Sequence, residues 1–267
     1  MKKKLFIGCL VSGGGTNLQA IIDSCSSSAI HGEVVFVGSD NPGAFGLTRA
    51  KNHGIPTFIV DYNNIIRRFH ENPEEIVVPN DFSFDDIYAK QSIFSGDMPK
   101  KKIGQFLTSR VVAEAELLNQ MNGYDFDLLV LAGFMRILTP YFIDRINTVK
   151  EKPRIMNIHP ALLPAFPGTD GYGDTYRYGC KIGGCTVHFV DYGEDSGPII
   201  AQRSFPIHED DTLERIKERG IKLEWELYPE CIRWFAENRL QVIKRSHSSV
   251  DGKKTVKTVV KILSPAL

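Results

Sequence analysis

Apolar residues run almost unbroken over Leu5–Val11 and stop at Ser12-Gly13-Gly14-Gly15, which predicts a buried strand. Residues 18–25 have helical spacing, and 33–38, rich in Val and Phe, predict a second strand. Phe45–Asn52 follows as a short helix ending before Gly54, a residue suited to a helix C-terminus. Residues 57–60 predict a third strand. Strands alternating with helices at this pitch imply βαβ units and a parallel sheet.

The rhythm breaks at about 61–102. Turn signals gather there, among them Asn72-Pro73, Pro79-Asn80 and Met98-Pro99, and the stretch ends in Lys100-Lys101-Lys102. Ile76-Val77-Val78 and Ile93-Phe94 supply some apolar content. The stretch reads as an insertion on the domain surface, either partly structured or a plain mobile loop. Periodicity returns at 103–121, an amphipathic helix, and 127–132 predict a buried strand. Pro140–Ile146 opens with Pro, as helices favour, and 154–158 predict another strand. The Pro- and Gly-rich stretch 160–173 predicts a long loop. Two further strands are expected at 184–190 and 199–205. Residues 212–236 predict a long helix with Thr212 as N-cap and a kink or break at Pro229. The tail 241–262 alternates weakly and is expected to form an edge hairpin.

At about 150 residues per domain, the 267-residue chain holds between one and two domains. Hydrophobic residues make up 42% and charged residues 24%, as in ordinary folded proteins. Basic and acidic side chains both number 32, so the net charge is zero, which disfavours a dedicated nucleic-acid binder. A small anionic substrate remains compatible with that balance. No stretch approaches the roughly 20 apolar residues of a membrane-spanning helix. The basic start Lys2-Lys3-Lys4 resembles a signal peptide, but only seven apolar residues follow and no Ala-x-Ala pattern ends them. Cys9, Cys25, Cys180, Cys185 and Cys231 form no Cys-x-x-Cys motif and are expected to be free thiols of a reducing cytosol.

Four segments carry candidate chemistry. Ser12-Gly13-Gly14-Gly15-Thr16-Asn17 joins a strand to a helix. Glycines let the backbone turn tightly and approach a ligand, and the helix N-terminus offers free N–H groups to a phosphate. The loop matches neither the dinucleotide nor the ATP-binding glycine pattern; the alternative is a tight turn without a ligand. Asn157-Ile158-His159-Pro160 ends a buried strand, where open α/β sheets bind ligands. Alternation puts Asn157 and His159 on one side. An amide donor beside an imidazole suits an acyl-transfer transition state; the alternative is a structural histidine. Asp195-Ser196-Gly197-Pro198 follows two further acidic residues, Asp191 and Glu194. A carboxylate near His159 would favour its charged form, but spacing alone does not bring the two together. Finally, 131–138 run from a buried strand into an apolar loop with one Arg, fit either to line a flat apolar pocket or to pack into the core.

Together these segments resemble one family. Gly-Gly-Gly-Thr-Asn-Leu-Gln-Ala (13–20), Ala-Gly-Phe-Met-Arg-Ile-Leu (132–138), Asn-Ile-His-Pro-Ala-Leu-Leu-Pro (157–164) and Asp-Ser-Gly-Pro-Ile-Ile (195–200) look like the glycinamide ribonucleotide formyltransferases. These are folate-dependent enzymes of purine synthesis. The resemblance covers most of 4–62 and 103–240, including the 36 positions from His159 to Asp195. It implies an α/β, Rossmann-like open and mostly parallel sheet flanked by helices, the formyltransferase fold. The formyltransferase domain would span 1–245 with the 61–102 insertion, leaving a tail at 246–267. The implied donor is 10-formyltetrahydrofolate, and the implied acceptor is the amine of 5′-phosphoribosylglycinamide. The implied enzyme is cytoplasmic, a monomer or homodimer, with small-molecule substrates and no metal, nucleic-acid or membrane partner.

The family's roles carry over position by position. Gly15, Thr16 and Asn17 match the loop at the ribose phosphate, and Glu224, in Glu-Trp-Glu-Leu-Tyr-Pro, matches a carboxylate that binds the glycinamide nucleotide. Met135, Arg136, Ile137 and Leu138 match the folate-pocket segment, which Asn157 completes. Arg110, 25 positions before Met135, matches a family arginine on the folate side. Asn157, His159 and Asp195 match the catalytic trio. In the implied mechanism Asn157 and protonated His159 stabilise the oxyanion, and Asp195 supports the charged ring and helps move the proton through a water. Two departures stand out. Asp170 and Tyr172 occupy positions where the family has His, which leaves the substrate contacts of 169–179 open. The 61–102 insertion has no counterpart in the short bacterial enzymes and is expected to cover the folate side. The neighbouring readings are a 10-formyltetrahydrofolate deformylase, a formyltransferase acting on another amine, and an inactive binding protein for phosphorylated metabolites.

Overall fold

All four residues of the strand Leu128–Leu131 (β4) are buried, yet they face opposite ways. Leu128 and Val130 join one apolar cluster and Leu129 and Leu131 another, so the strand is covered on both faces, as a parallel strand must be. The structure, a computed structural model, describes residues 3–94, 97–149, 151–248 and 254–265, and places this strand at the centre of a seven-stranded sheet. On one side lie β1 (Leu5–Val11), β2 (Gly32–Ser39) and β3 (Thr57–Ile59); on the other lie β5 (Ile155–His159), β6 (Ile182–Phe189) and β7 (Ile199–Pro206). Pairing is parallel from β3 through β5; β6 runs antiparallel to β5, and β7 antiparallel to β6. The expected open, mostly parallel α/β sheet is the one observed.

One face carries α1 (Thr16–Ser26), α2 (Phe45–Asn52) and α8 (Leu213–Ala236). The other carries α3 (Tyr62–Glu71), α5 (Lys100–Met121) and α6 (Pro140–Ile146). The order β3-β2-β1-β4-β5 reverses direction between β1 and β4. Beyond the carboxyl ends of those two strands the flanking loops part, which is where open sheets hold ligands.

Several expectations need correction. The stretch 160–173 is not loop throughout, because the chain turns into α7 (Gly171–Arg177) at Gly171. That helix buries Tyr172 against Ile216 and Phe205, a tertiary reward that its glycine-rich sequence hides. Helix α8 is not broken at Pro229. It runs on to Ala236 with Pro229 buried, at the cost of the one backbone bond a proline cannot make. Thr212 caps it, accepting from the Arg215 N–H at 3.4 Å. The tail forms β8 (Leu240–Ser248) and β9 (Lys254–Ile262), an antiparallel pair. The pair is a sheet of its own, not an edge of the main one, and Val242 and Val260 pack against the main core. Its turn at 249–253 lies outside the described residues, as do Met1 and Lys2 of the basic start.

The segment 61–102 contains real helices. Asp61 caps α3 by accepting from Asn64 N–H at 3.0 Å, and Tyr62 is fully buried behind it. Ser83 caps α4 (Phe84–Lys90), whose Ile87 packs against Ile103 and Leu107 of α5.

Candidate active site

Ser12 leaves β1 and ties the two switch-point loops together. Its N–H donates to Gly133 O at 2.9 Å, and its hydroxyl accepts from Met135 N–H at 2.7 Å. Gly15 follows at φ +68°, and a Cβ there would lie 2.6 Å from the Cα of Gly46. Only glycine satisfies both the left-handed backbone and that approach. Helix α1 then begins at Thr16 with no side-chain cap, so its first N–H groups point outward without a side-chain partner.

The cleft beyond this loop is lined by Asn17 and Glu224 at one end and by 133–138 along one wall. Asn157, His159 and Asp195 line its floor. Gly15 and Thr16 flank the cleft without lining it. Arg110 stands behind the wall on α5, stacked on the Phe106 ring with its charge 4.6 Å from the centroid. Burial, and the neighbouring charge of Arg136, hold its pKa below the usual arginine range.

Asp195 is the hub of the floor. Its Oδ2 lies 3.2 Å from Nδ1 of His159 and accepts from Gly168 N–H at 2.8 Å. Its Oδ1 faces the Asn157 amide nitrogen at 3.5 Å and Nε2 of His188 at 3.6 Å. Burial pushes the Asp195 carboxyl up, but His188, the His159 charge and the Gly168 N–H outweigh it and hold the pKa below the ordinary carboxylate range. His159 is 3% exposed, and its Nε2 donates to Phe166 O at 2.7 Å. Nδ1 therefore is the nitrogen that meets the carboxylate. Asp195 and Phe166, the two partners of this ring, both carry positive φ, +49° and +54°. Left-handed backbone at residues with side chains is strain of the kind that collects at functional sites.

The segment 135–138, expected to line the folate pocket, departs from its simplest picture. Met135 is 54% exposed to the cleft side, whereas Leu138 is buried. Arg136 is not a free cation: its Nε donates to Asp40 at 2.5 Å, Nη2 donates to Asn63 at 2.9 Å, and its guanidinium covers the Tyr62 ring. At the other end, Glu224 accepts from Asn17 Nδ2 at 2.8 Å and from the Tyr172 hydroxyl at 2.6 Å. Burial raises the Glu224 pKa, with both hydrogen bonds opposing. The buried Asn17 Oδ1 has no partner.

The residue that sequence reasoning misses is His188. It pairs across β5 and β6 directly opposite Asn157. Its Nδ1 donates to Phe189 O at 2.9 Å, so Nε2 is left to face the Asn157 amide at 3.2 Å. The signal was a histidine in a buried alternating strand, but strand pairing is needed to place it. The Phe166 carbonyl and Gly168 N–H carry no side-chain signal at all.

Comparison with known proteins gives the same grouping. The family model described as formyl transferase matches residues 5–232. A phosphoribosylglycinamide formyltransferase of Haemophilus influenzae is 35% identical over 258 residues, covering 97% of this chain and 98% of the relative. The protein of the same name from Escherichia coli K12 is 33% identical, covering 92% and 93%. Among solved structures, glycinamide ribonucleotide transformylase 1 from Symbiobacterium toebii matches with a TM-score of 0.71 at 34% identity, covering 98% of this chain and 95% of that one. The chain belongs to the formyl transferase family, alongside the phosphoribosylglycinamide formyltransferases.

Proposed function

We propose that this chain transfers the formyl group of 10-formyltetrahydrofolate to the amine of 5′-phosphoribosylglycinamide, a step of purine biosynthesis. The observation that carries the reading is the meeting of Asn157, His159 and Asp195 on the floor of one cleft. The glycine loop at the start of α1 suits the phosphate, and Glu224 with Asn17 suits the donor groups of the nucleotide. The apolar backbone wall at 133–138, tied in place by Ser12 and Arg136, fits a flat heteroaromatic ring. The folate supplies the formyl carbon. The oxygen that gains charge as the amine attacks takes the Asn157 amide as donor, and the Nε2–H of His159 in exchange for the Phe166 carbonyl it bonds here. Asp195, held ionised, is the group that receives the amine's proton, through a water, for delivery to the leaving nitrogen. Arg110 supports the folate side from behind the wall. The enzyme acts on small molecules without a nucleic-acid partner, in the cytoplasm, as a monomer or homodimer. No helix among the described residues is long and apolar enough to cross a membrane.

The test is formyl transfer from 10-formyltetrahydrofolate followed by folate absorbance, with and without phosphoribosylglycinamide. Turnover that requires the nucleotide supports the reading. Turnover without it makes the chain a deformylase, and none in either case favours a different acceptor or a binding role.

A further inference from the structure

Each oxygen of the Glu224 carboxylate has one donor behind it. Asn17 holds Oε2 and Tyr172 holds Oε1. Glu224 lines the cleft, but Tyr172 does not. The tyrosine is 5% exposed and reaches the carboxylate from α7, with its ring packed on Phe205 and Ile216. That path exists only because residue 220 is glycine. A Cβ on Gly220 would overlap both the ring carbon Cζ and the hydroxyl oxygen of Tyr172. Glycine destabilises a helix interior, so its place one turn before Glu224 calls for a packing reason. The notch for the tyrosine is that reason.

We propose that Tyr172 is a positioning residue for the substrate nucleotide, acting through Glu224, and that Gly220 is the notch that admits it. The inference rests on the reading of Glu224 as a nucleotide ligand. A buried carboxylate is costly unless its oxygens are hydrogen-bonded. The hydroxyl of Tyr172 and the amide of Asn17 occupy the inward-facing lone pairs. They fix one side-chain orientation and leave the outward lone pairs for donor groups of the ligand. Burial keeps the Tyr172 phenol protonated, so it remains a donor across the working pH range. The tyrosine thus supplies a ring-borne donor to Glu224 from a neighbouring helix.

The experiment titrates phosphoribosylglycinamide by calorimetry into the wild type, Tyr172→Phe, Glu224→Gln and the double variant, with kcat and both KM values measured in parallel. Tyr172→Phe keeps the ring and its packing. It is expected to weaken nucleotide binding about tenfold, the worth of a hydrogen bond to a charged group. Its kcat at saturation and its folate KM should stay near wild type, and its melting temperature should fall by no more than the loss of one buried hydrogen bond. In the Glu224→Gln background the same substitution should change nucleotide binding much less, because the two act through one contact. Unchanged nucleotide binding in Tyr172→Phe, with weakened binding in Glu224→Gln, overturns the role of Tyr172 alone. Unchanged binding in Glu224→Gln overturns the nucleotide site and the role of Tyr172 together. A loss of kcat with nucleotide binding intact also overturns it.

Discussion

Nδ1 of His159 lies 3.2 Å from Oδ2 of Asp195, although the two stand 36 positions apart in the chain. The contact is made by topology. His159 ends β5, the chain returns antiparallel along β6, and the turn after β6 brings Asp195 back over the carboxyl end of β5. The left-handed backbone at Asp195 aims the carboxylate at the ring, and the Gly168 N–H holds the same oxygen that faces His159. His159→Ala and Asp195→Asn should each lower kcat about 10²–10³-fold, the usual effect of losing a preorganised charge-stabilising group. Both variants should still fold, since neither residue is an apolar anchor of the core, with a melting temperature lowered only by the loss of this pair. Steady-state kinetics beside thermal melts decides it; near-normal turnover in either variant removes that residue from the mechanism.

Much of this fold is legible in the sequence, for a physical reason. A strand buried on both faces must be apolar throughout, so Leu5–Val11 and Leu128–Leu131 announce themselves. The glycine loop and the Asn157-His159 pair follow at strand ends, where the topology puts ligands. What stays hidden depends on contacts between distant segments. His188 matters because β6 pairs antiparallel with β5, and Tyr172 because Gly220 leaves room for it. Pro229 misleads because it signals a break, whereas the buried face of α8 outweighs one missing backbone bond. The partners of Arg110 and Arg136 are hidden too: both are engaged by ring faces, and Arg136 also by Asp40.

Glu114 makes stability depend on pH. The side chain is fully buried in α5 and accepts from Thr139 N–H at 2.7 Å and from its hydroxyl at 2.5 Å. Burial pushes the carboxyl up to about 7, against those bonds and the charges of Arg110 and Arg145. The folded state therefore holds this proton more tightly than the unfolded chain, where the group titrates near 4.5. Its contribution is full below that value and is lost as pH rises towards about 7. Glu114→Gln carries no charge and can still accept the Thr139 N–H. It should flatten this part of the melting-temperature profile, measured between pH 5 and pH 8. A slope equal to that of the wild type would rule the group out.

The thiols should divide by burial. A cysteine reacts as its thiolate. Burial pushes the Cys25 thiol up to about 11 and Cys185 up to about 12, and raises Cys9 and Cys231 further. Cys180, in the turn after α7, is half-buried and carries a free thiol. An aromatic disulfide reagent at pH 8 should label Cys180 first in the native protein. Cys180→Ser should abolish the fast phase, and denaturant should release the others. A fast phase that survives the substitution would mean another thiol opens to solvent.

The segment 61–102 reaches the site at two places, although none of its described residues lines the cleft. Tyr62 and Asn63 hold Arg136 of the 133–138 wall. The end of α4 docks on the turn that carries Asp195. Ser92 N–H donates to Tyr192 O at 2.9 Å, the Tyr192 hydroxyl donates to Asp144 at 2.5 Å, and Lys90 reaches the same carboxylate at 2.9 Å. Gly193 is packed so closely that a Cβ would lie 2.8 Å from Ser92 Oγ and overlap Ser196 Oγ. Gly193 stands two residues before Asp195, so a shift there is passed to the carboxylate. A misplacement of about 1 Å can lower turnover about 10²-fold. Gly193→Ala should therefore lower kcat while leaving both KM values near wild type, because the 133–138 wall and the Asn17–Glu224 end are untouched. Adding Ser92→Ala removes one of the two overlaps and should restore part of the lost kcat. Full kcat in Gly193→Ala alone would show that the turn yields without moving Asp195, and that the docked segment does not position it.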